Sequence, residues 1–190
     1  ATMALLAEQC EDATSSQFVT QIQRCKTILS RITADGGVMR AEAGAPMGLQ
    51  EFLTGTIKEW QRDHPAISLK WQVGGVENLR IVAEQGFGHA IVNLLSNAAD
   101  ASPHSVICVA SWTAHTLTIL IEDAGEGVPA DLQASLGEVV GMTTKPDGMG
   151  LGLFLTKSIV KRLEGKLELI SVAGKGTTAH VTIPLKRITL

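Results

Sequence analysis

The sequence predicts an α+β fold: a two-layer sandwich in which helices cover one face of a mixed, largely antiparallel sheet, preceded by an α-helical hairpin. Three observations carry this. Alternating apolar residues mark strands that arrive in adjacent pairs, at about 105–112 with 116–122 and about 166–172 with 177–184. Stretches with apolar residues at helical spacing separate those pairs, without the regular strand–helix–strand rhythm of a parallel sheet. A short heptad-like region stands apart at the N-terminus.

Taken in order, Met3, Leu6, Cys10 and Ala13, then Phe18, Ile22, Cys25, Leu29 and Ile32, form two helical seams. Thr14-Ser15-Ser16 between them offers a turn and an N-cap. Residues 1–33 therefore read as a helical hairpin, and two seams this short call for a partner chain to complete a bundle. A homodimer is expected. Residues 34–48, with Gly36, Gly37, Gly44, Pro46 and Gly48, read as a linker.

The second domain is expected over 49–187. Leu49, Phe52, Leu53, Ile57 and Trp60 give an amphipathic helix ending before Pro65, and Ile67, Leu69, Trp71 and Val73 alternate as a half-buried strand. A helix follows over 88–101. The strands 105–112 and 116–122 lead into a long glycine-bearing loop, then a helix over about 151–164 capped by Gly165 and the final hairpin.

Composition bounds the function. With 45% apolar and 18% charged residues the chain can bury a core, and its net charge of −3 without a basic block gives no nucleic-acid footprint. No apolar run approaches the roughly 18–20 residues that span a bilayer, and the N-terminus lacks a signal-peptide layout. A soluble chain is expected, and the odd set Cys10, Cys25 and Cys108 suits a reducing cytoplasm. The 19 glycines are concentrated: ten lie between Gly125 and Gly176. Their spacing has no collagen period, so they mark loops that need positive φ or a close approach.

Four segments hold chemistry. Asn93 and Asn97 lie four apart, on one face of a helix whose other side is Ile91, Leu94, Leu95 and Ala98. Solvent-facing amides are the plain alternative for such a pair. The strand 117–122 runs into Asp123-Ala124-Gly125-Glu126-Gly127, a carboxylate able to accept from an amine, with glycines that admit a flat ring or make a tight turn. Gly148, Gly150 and Gly152 open the helix near Leu151, where free amides suit an anion. Gly174-Lys175-Gly176-Thr177 forms a hairpin turn.

In this order, NLLSNAADAS, DAGEGV, TTKPDGMGLGL and GKGT resemble the N, G1, G2 and G3 boxes of the GHKL superfamily, which includes gyrase, heat-shock chaperone, histidine kinase and mismatch-repair ATPases. The resemblance covers about 49–187 and implies the Bergerat nucleotide fold with ATP and Mg2+ as cofactors. It implies that Asn97 gives an amide oxygen to Mg2+, Asp123 holds the adenine amine, and Thr177 supports the base. Asn93, Gly125, Gly127, Thr144, Lys145, Gly148, Gly150, Leu151 and Gly152 complete the implied nucleotide site.

Hydrolytic members carry a glutamate at the position of Asn93, and an amide is no general base. The resemblance therefore points to sensor histidine kinases, with Asn93 supporting phosphate or its transfer. The acceptor histidine is absent: His64, His89, His104, His115 and His180 all lie outside the hairpin. ATMALLAEQ is similar to the continuation of an H-box in redox-responsive RegB-like kinases, and Cys25 in QRCKTIL resembles that subgroup's cysteine. A small apolar residue filling a seam is the alternative for Cys25. The family further implies homodimerisation through the hairpin, transfer to a response-regulator aspartate, and a cytoplasmic location, alone or as part of an inner-membrane sensor whose membrane segments lie outside this sequence.

Two features depart from the family pattern. Asp100 stands where many histidine kinases have lysine, which leaves Lys145 as the candidate phosphate partner, and LGEVVGMTTK lacks the usual phenylalanine. They keep open a non-catalytic, nucleotide-dependent interaction module. An anti-sigma-type serine kinase is a further alternative with the same nucleotide fold.

Overall fold

The computed structural model describes residues 46–76, 79–82, 86–102, 104–129 and 151–189. The hairpin expected over 1–33, with Cys25, and the first part of the linker lie outside them. In chain order the elements are β1 (Pro46–Gly48), α1 (Leu49–Asp63), β2 (Leu69–Gly75), β3 (Arg80–Val82), α2 (Phe87–Ala101), β4 (Val106–Trp112) and β5 (Thr116–Asp123). After these come α3 (Leu151–Arg162), β6 (Lys166–Val172), β7 (Gly176–Pro184) and a 3-10 turn over Leu185–Arg187.

Five strands form one sheet in the order β2-β4-β5-β7-β6. β2 runs parallel to β4, and every other pairing in this sheet is antiparallel. The mixed two-layer sandwich expected from the sequence is therefore present. Its register places Val106, Cys108, Ala110 and Trp112 of β4, Leu117, Ile119 and Ile121 of β5, and Ala179, Val181 and Ile183 of β7 on the buried face. These side chains meet the helices, whose buried residues include Leu53 and Ile57 of α1, Leu94 and Leu95 of α2, and Val160 of α3. The period-2 pattern of the strands and the helical period of α1 and α2 thus converge on one apolar layer.

Two ties fix α1 on α2. The Trp60 indole N–H donates to Ser96 Oγ at 2.9 Å, and the rings of Phe52 and Phe87 stack at 5.7 Å. A small second sheet pairs β1 with β3. Thus Pro46–Gly48, the tail of the segment read as linker, are strand residues. The chain end joins them, since Val82 N–H donates to Ile188 O and Ile81 bridges to Thr189.

The end of α3 differs from the expected glycine cap. Glu164, not Gly165, takes the left-handed conformation, with φ 54°. Glu164 N–H donates to Lys161 O and Gly165 N–H to Val160 O, the paired bonds of a Schellman ending. Gly165 is required for space, because a Cβ there would lie 2.5 Å from Thr182 O. Glu164 also pairs with Lys186 and Arg187 of the 3-10 turn. Among the described residues, no helix is long and apolar enough to cross a membrane.

Candidate functional site

Asp123 ends β5, where the chain leaves the sheet and its backbone partners run out. Its side chain substitutes for them. Oδ1 accepts from Gly125 N–H at 2.9 Å and from Thr177 N–H at 3.2 Å. Both bonds fall on the same oxygen, so Oδ2 of this half-buried carboxylate is presented for a further donor.

The glycines of the loop after Asp123 are explained by protein neighbours. A Cβ on Gly125 would lie 2.7 Å from Ala101 O at the end of α2, one turn beyond Asn97. Gly127, with φ 74°, passes so close to the β6–β7 hairpin that a Cβ would lie 2.5 Å from Val172 O. Gly176, with φ 102°, lies against the backbone of Asp123, where any Cβ would collide with the carbonyl. The carboxylate is therefore clamped between α2 and the hairpin by close backbone approaches.

Thr177 follows at the start of β7. Its backbone N–H serves Asp123, while its hydroxyl lies 2.8 Å from Ser171 Oγ on β6. A carboxylate oxygen and a threonine hydroxyl thus belong to one hydrogen-bonded cluster at one end of the sheet. Ser171, which sequence reasoning missed, joins the cluster to the loop by accepting Val128 N–H at 2.7 Å. A signal was available: Leu167, Leu169 and Ser171 alternate on the inward side of β6, and the last of them is polar.

The two asparagines differ in setting. Asn93 is half-buried at the crossing of α2 and α3, where its Nδ2 donates to Thr156 Oγ1 at 2.8 Å. Thr156 is only 1% exposed. Gly152 gives Asn93 room, because a Cβ at that position would collide with Asn93 Oδ1. Asn97 lies one turn further along α2, half-buried. Leu151 is the first residue of α3 and also half-buried. Thr144, Lys145, Gly148 and Gly150 lie outside the described residues.

The donor set suits a nucleotide with Mg2+. Asp123 Oδ2 offers an acceptor for an amine, Thr177 a hydroxyl, and Asn97 a hard oxygen of the kind magnesium takes together with phosphates and water. Among the described residues, no group of three or more His, Cys, Asp or Glu side chains could hold a metal by itself.

The chain is similar to several known proteins. Sporulation kinase A of Bacillus subtilis (strain 168) is 32% identical over 97 residues, which are 50% of this chain and 16% of that protein. The mycobacterial sensor histidine kinase MprB superposes with a TM-score of 0.59 at 22% identity, over 74% of this chain and 97% of the solved one. Full-length ShkA, solved with AMPPNP, superposes with a TM-score of 0.62 at 19% identity, over 77% of this chain and 31% of that one. These likenesses of structure carry the fold, and the chain spans well under two thirds of the curated relative's length. Residues 82–187, more than half of the sequence, match the family described as histidine kinase-, DNA gyrase B- and HSP90-like ATPases. This span takes in Asn93, Asn97, Asp123 and Thr177, and on it the chain belongs to that ATPase family.

Proposed function

We propose that the chain is the ATP-binding catalytic region of a sensor histidine kinase, with residues 46–187 as the catalytic domain, 34–45 as its linker and 1–33 as part of the dimerisation hairpin. The observation that carries this reading is Asn93. It stands where hydrolytic relatives carry a general base, and its amide is engaged with Thr156 at 2.8 Å. An amide there cannot deprotonate water, so the nucleotide is held without an activated hydrolytic nucleophile.

Bound ATP with Mg2+ would supply the γ-phosphoryl group. In this chain Asp123 accepts from the base amine, Thr177 supports the ring, and Asn97 offers its oxygen to the metal. Asn93, Gly148, Gly150, Leu151 and Gly152 would serve the phosphates, together with Thr144 and Lys145. Lys145 takes the neutralising role that Asp100 cannot. The acceptor is a histidine outside this sequence, and a response-regulator aspartate receives the group next. Homodimerisation through the hairpin, a cytoplasmic setting, and a RegB-like redox response through Cys25 belong to the same proposal.

The family match and the kinase relatives support it. Mg-ATP calorimetry tests it first: binding is expected in the wild type and strongly weakened in Asn97→Asp, whereas unchanged binding and kinase activity in that variant would contradict it. Asp100 and the absence of an F-box phenylalanine favour, as a second reading, a module in which ATP orders the loop for a partner to recognise. Phosphoryl transfer to a separately supplied histidine hairpin separates the two. Acid-labile label indicates phosphohistidine, and acid-stable label indicates the serine-kinase alternative.

A further inference from the structure

Three segments meet at the Ser171 hydroxyl. Val128 N–H donates to it at 2.7 Å, Thr177 Oγ1 lies 2.8 Å away, and Gly176 O lies 3.2 Å away. Ser171 is directly opposite Thr177 in the β6–β7 ladder, so the backbone holds the two hydroxyls in register. Gly127 brings the loop onto this point: a Cβ there would lie 3.1 Å from Ser171 Oγ. The loop that follows Asp123 thus rests on the hairpin through the Ser171 hydroxyl, and beside it Gly174 N–H donates to Glu126 O at 2.8 Å.

A serine hydroxyl has one proton and two acceptor positions. One acceptor position takes the Val128 N–H. Two acceptors lie within reach of that proton, Gly176 O at a length beyond the usual range for such bonds and Thr177 Oγ1 at the usual length. In the first case the threonine turns its proton back to Ser171 and shows a ligand only lone pairs. In the second, Ser171 donates to Thr177, and the threonine proton is released to a ligand acceptor. A base with an amine beside a ring-nitrogen acceptor demands the second arrangement, because Asp123 Oδ2 takes the amine and a donor is needed next to it. A base with a carbonyl beside a ring N–H presents the reverse pattern and mismatches both groups.

We propose that Ser171 is a positioning residue for nucleobase recognition: by donating to Thr177 it turns that hydroxyl's proton toward the ring nitrogen beside the amine held by Asp123. The inference rests on the adenine-binding reading above and adds a residue acting through Thr177.

Calorimetry with Mg-ATP and Mg-GTP on the full chain tests it, using Ser171→Ala, Thr177→Val, the double variant and Ser171→Thr. Ser171→Ala is expected to weaken ATP binding about tenfold, the scale of one hydrogen bond, and to narrow the ATP preference over GTP. Because Ser171 acts through Thr177, the double variant should bind no more weakly than Thr177→Val alone, and Ser171→Thr should restore affinity. Should Ser171→Ala unfold the hairpin, Ser171→Cys provides the same comparison with a weak donor of similar size. Wild-type binding of ATP with unchanged affinity in Ser171→Ala, or losses that simply add in the double variant, would overturn the inference alone. A wild type that binds no ATP would overturn the nucleotide reading as well.

Discussion

At Asp123, two backbone N–H groups hold one carboxylate oxygen and leave the other for a ligand. An asparagine can keep the first role with its carbonyl oxygen, but its NH2 then faces an amine donor to donor. Asp123→Asn is therefore expected to keep its melting temperature within a few degrees while losing about 10–100-fold in ATP affinity, the scale of a charge-assisted hydrogen bond. Calorimetry beside a thermal melt reads both. Gly152 is constrained by a side chain, since its missing Cβ is the space that Asn93 Oδ1 fills. Gly152→Ala should displace Asn93 from Thr156, cost about 1–3 kcal/mol of stability as an overpacked contact does, and weaken ATP binding in parallel. Denaturant titration gives the first figure. Asp123, Gly125, Gly127, Gly152 and Thr177 were legible in the sequence because carboxylate, glycine and hydroxyl recur there in a distinctive order. Thr156 was not, because its partner Asn93 lies on another helix 63 residues away, and Ser171 left only the faint signal of one polar residue on the inward side of β6.

Among the elements, the helices and long strands were legible because burial imposes a period on them: five apolar positions of α1, and alternate positions of β4, β5 and β7. The three-residue strands β1 and β3 are too short to show any period, and their pairing is long-range. The parallel pairing of β2 with β4 is likewise set by packing across α2 rather than by a local turn. The α1–α2 tie can be measured. Trp60→Phe keeps the apolar body, removes the indole donor to Ser96, and is expected to cost about 1 kcal/mol in a denaturant titration. In the inner strand β4, burial pushes the Cys108 thiol up to about 12 from its ordinary value. The unfolded chain gives up that proton near its ordinary pKa while the native chain keeps it. Stability is therefore full below that value and falls by about 1.4 kcal/mol per pH unit as pH rises toward 12. Cys108→Ala should lack this component of the alkaline slope, measured as the difference between the two stability curves.

At the largest scale, among the described residues, one sandwich carries three pieces of chemistry: the end of β5, the turn into β7, and the crossing of α2 with α3. The fold class was legible because strand pairs alternate with helices. The joining of the site was not, since it depends on contacts such as Gly125 against Ala101 and Gly127 against Val172 that no local pattern encodes. The family match and the kinase relatives leave the direction of phosphoryl flow as the central question. The most direct measurement mixes this chain with a separate hairpin carrying the acceptor histidine and γ-labelled Mg-ATP. Acid-labile label on the hairpin, abolished by Asn97→Asp, is the expected result; no label on the hairpin despite measured ATP binding would contradict a histidine kinase.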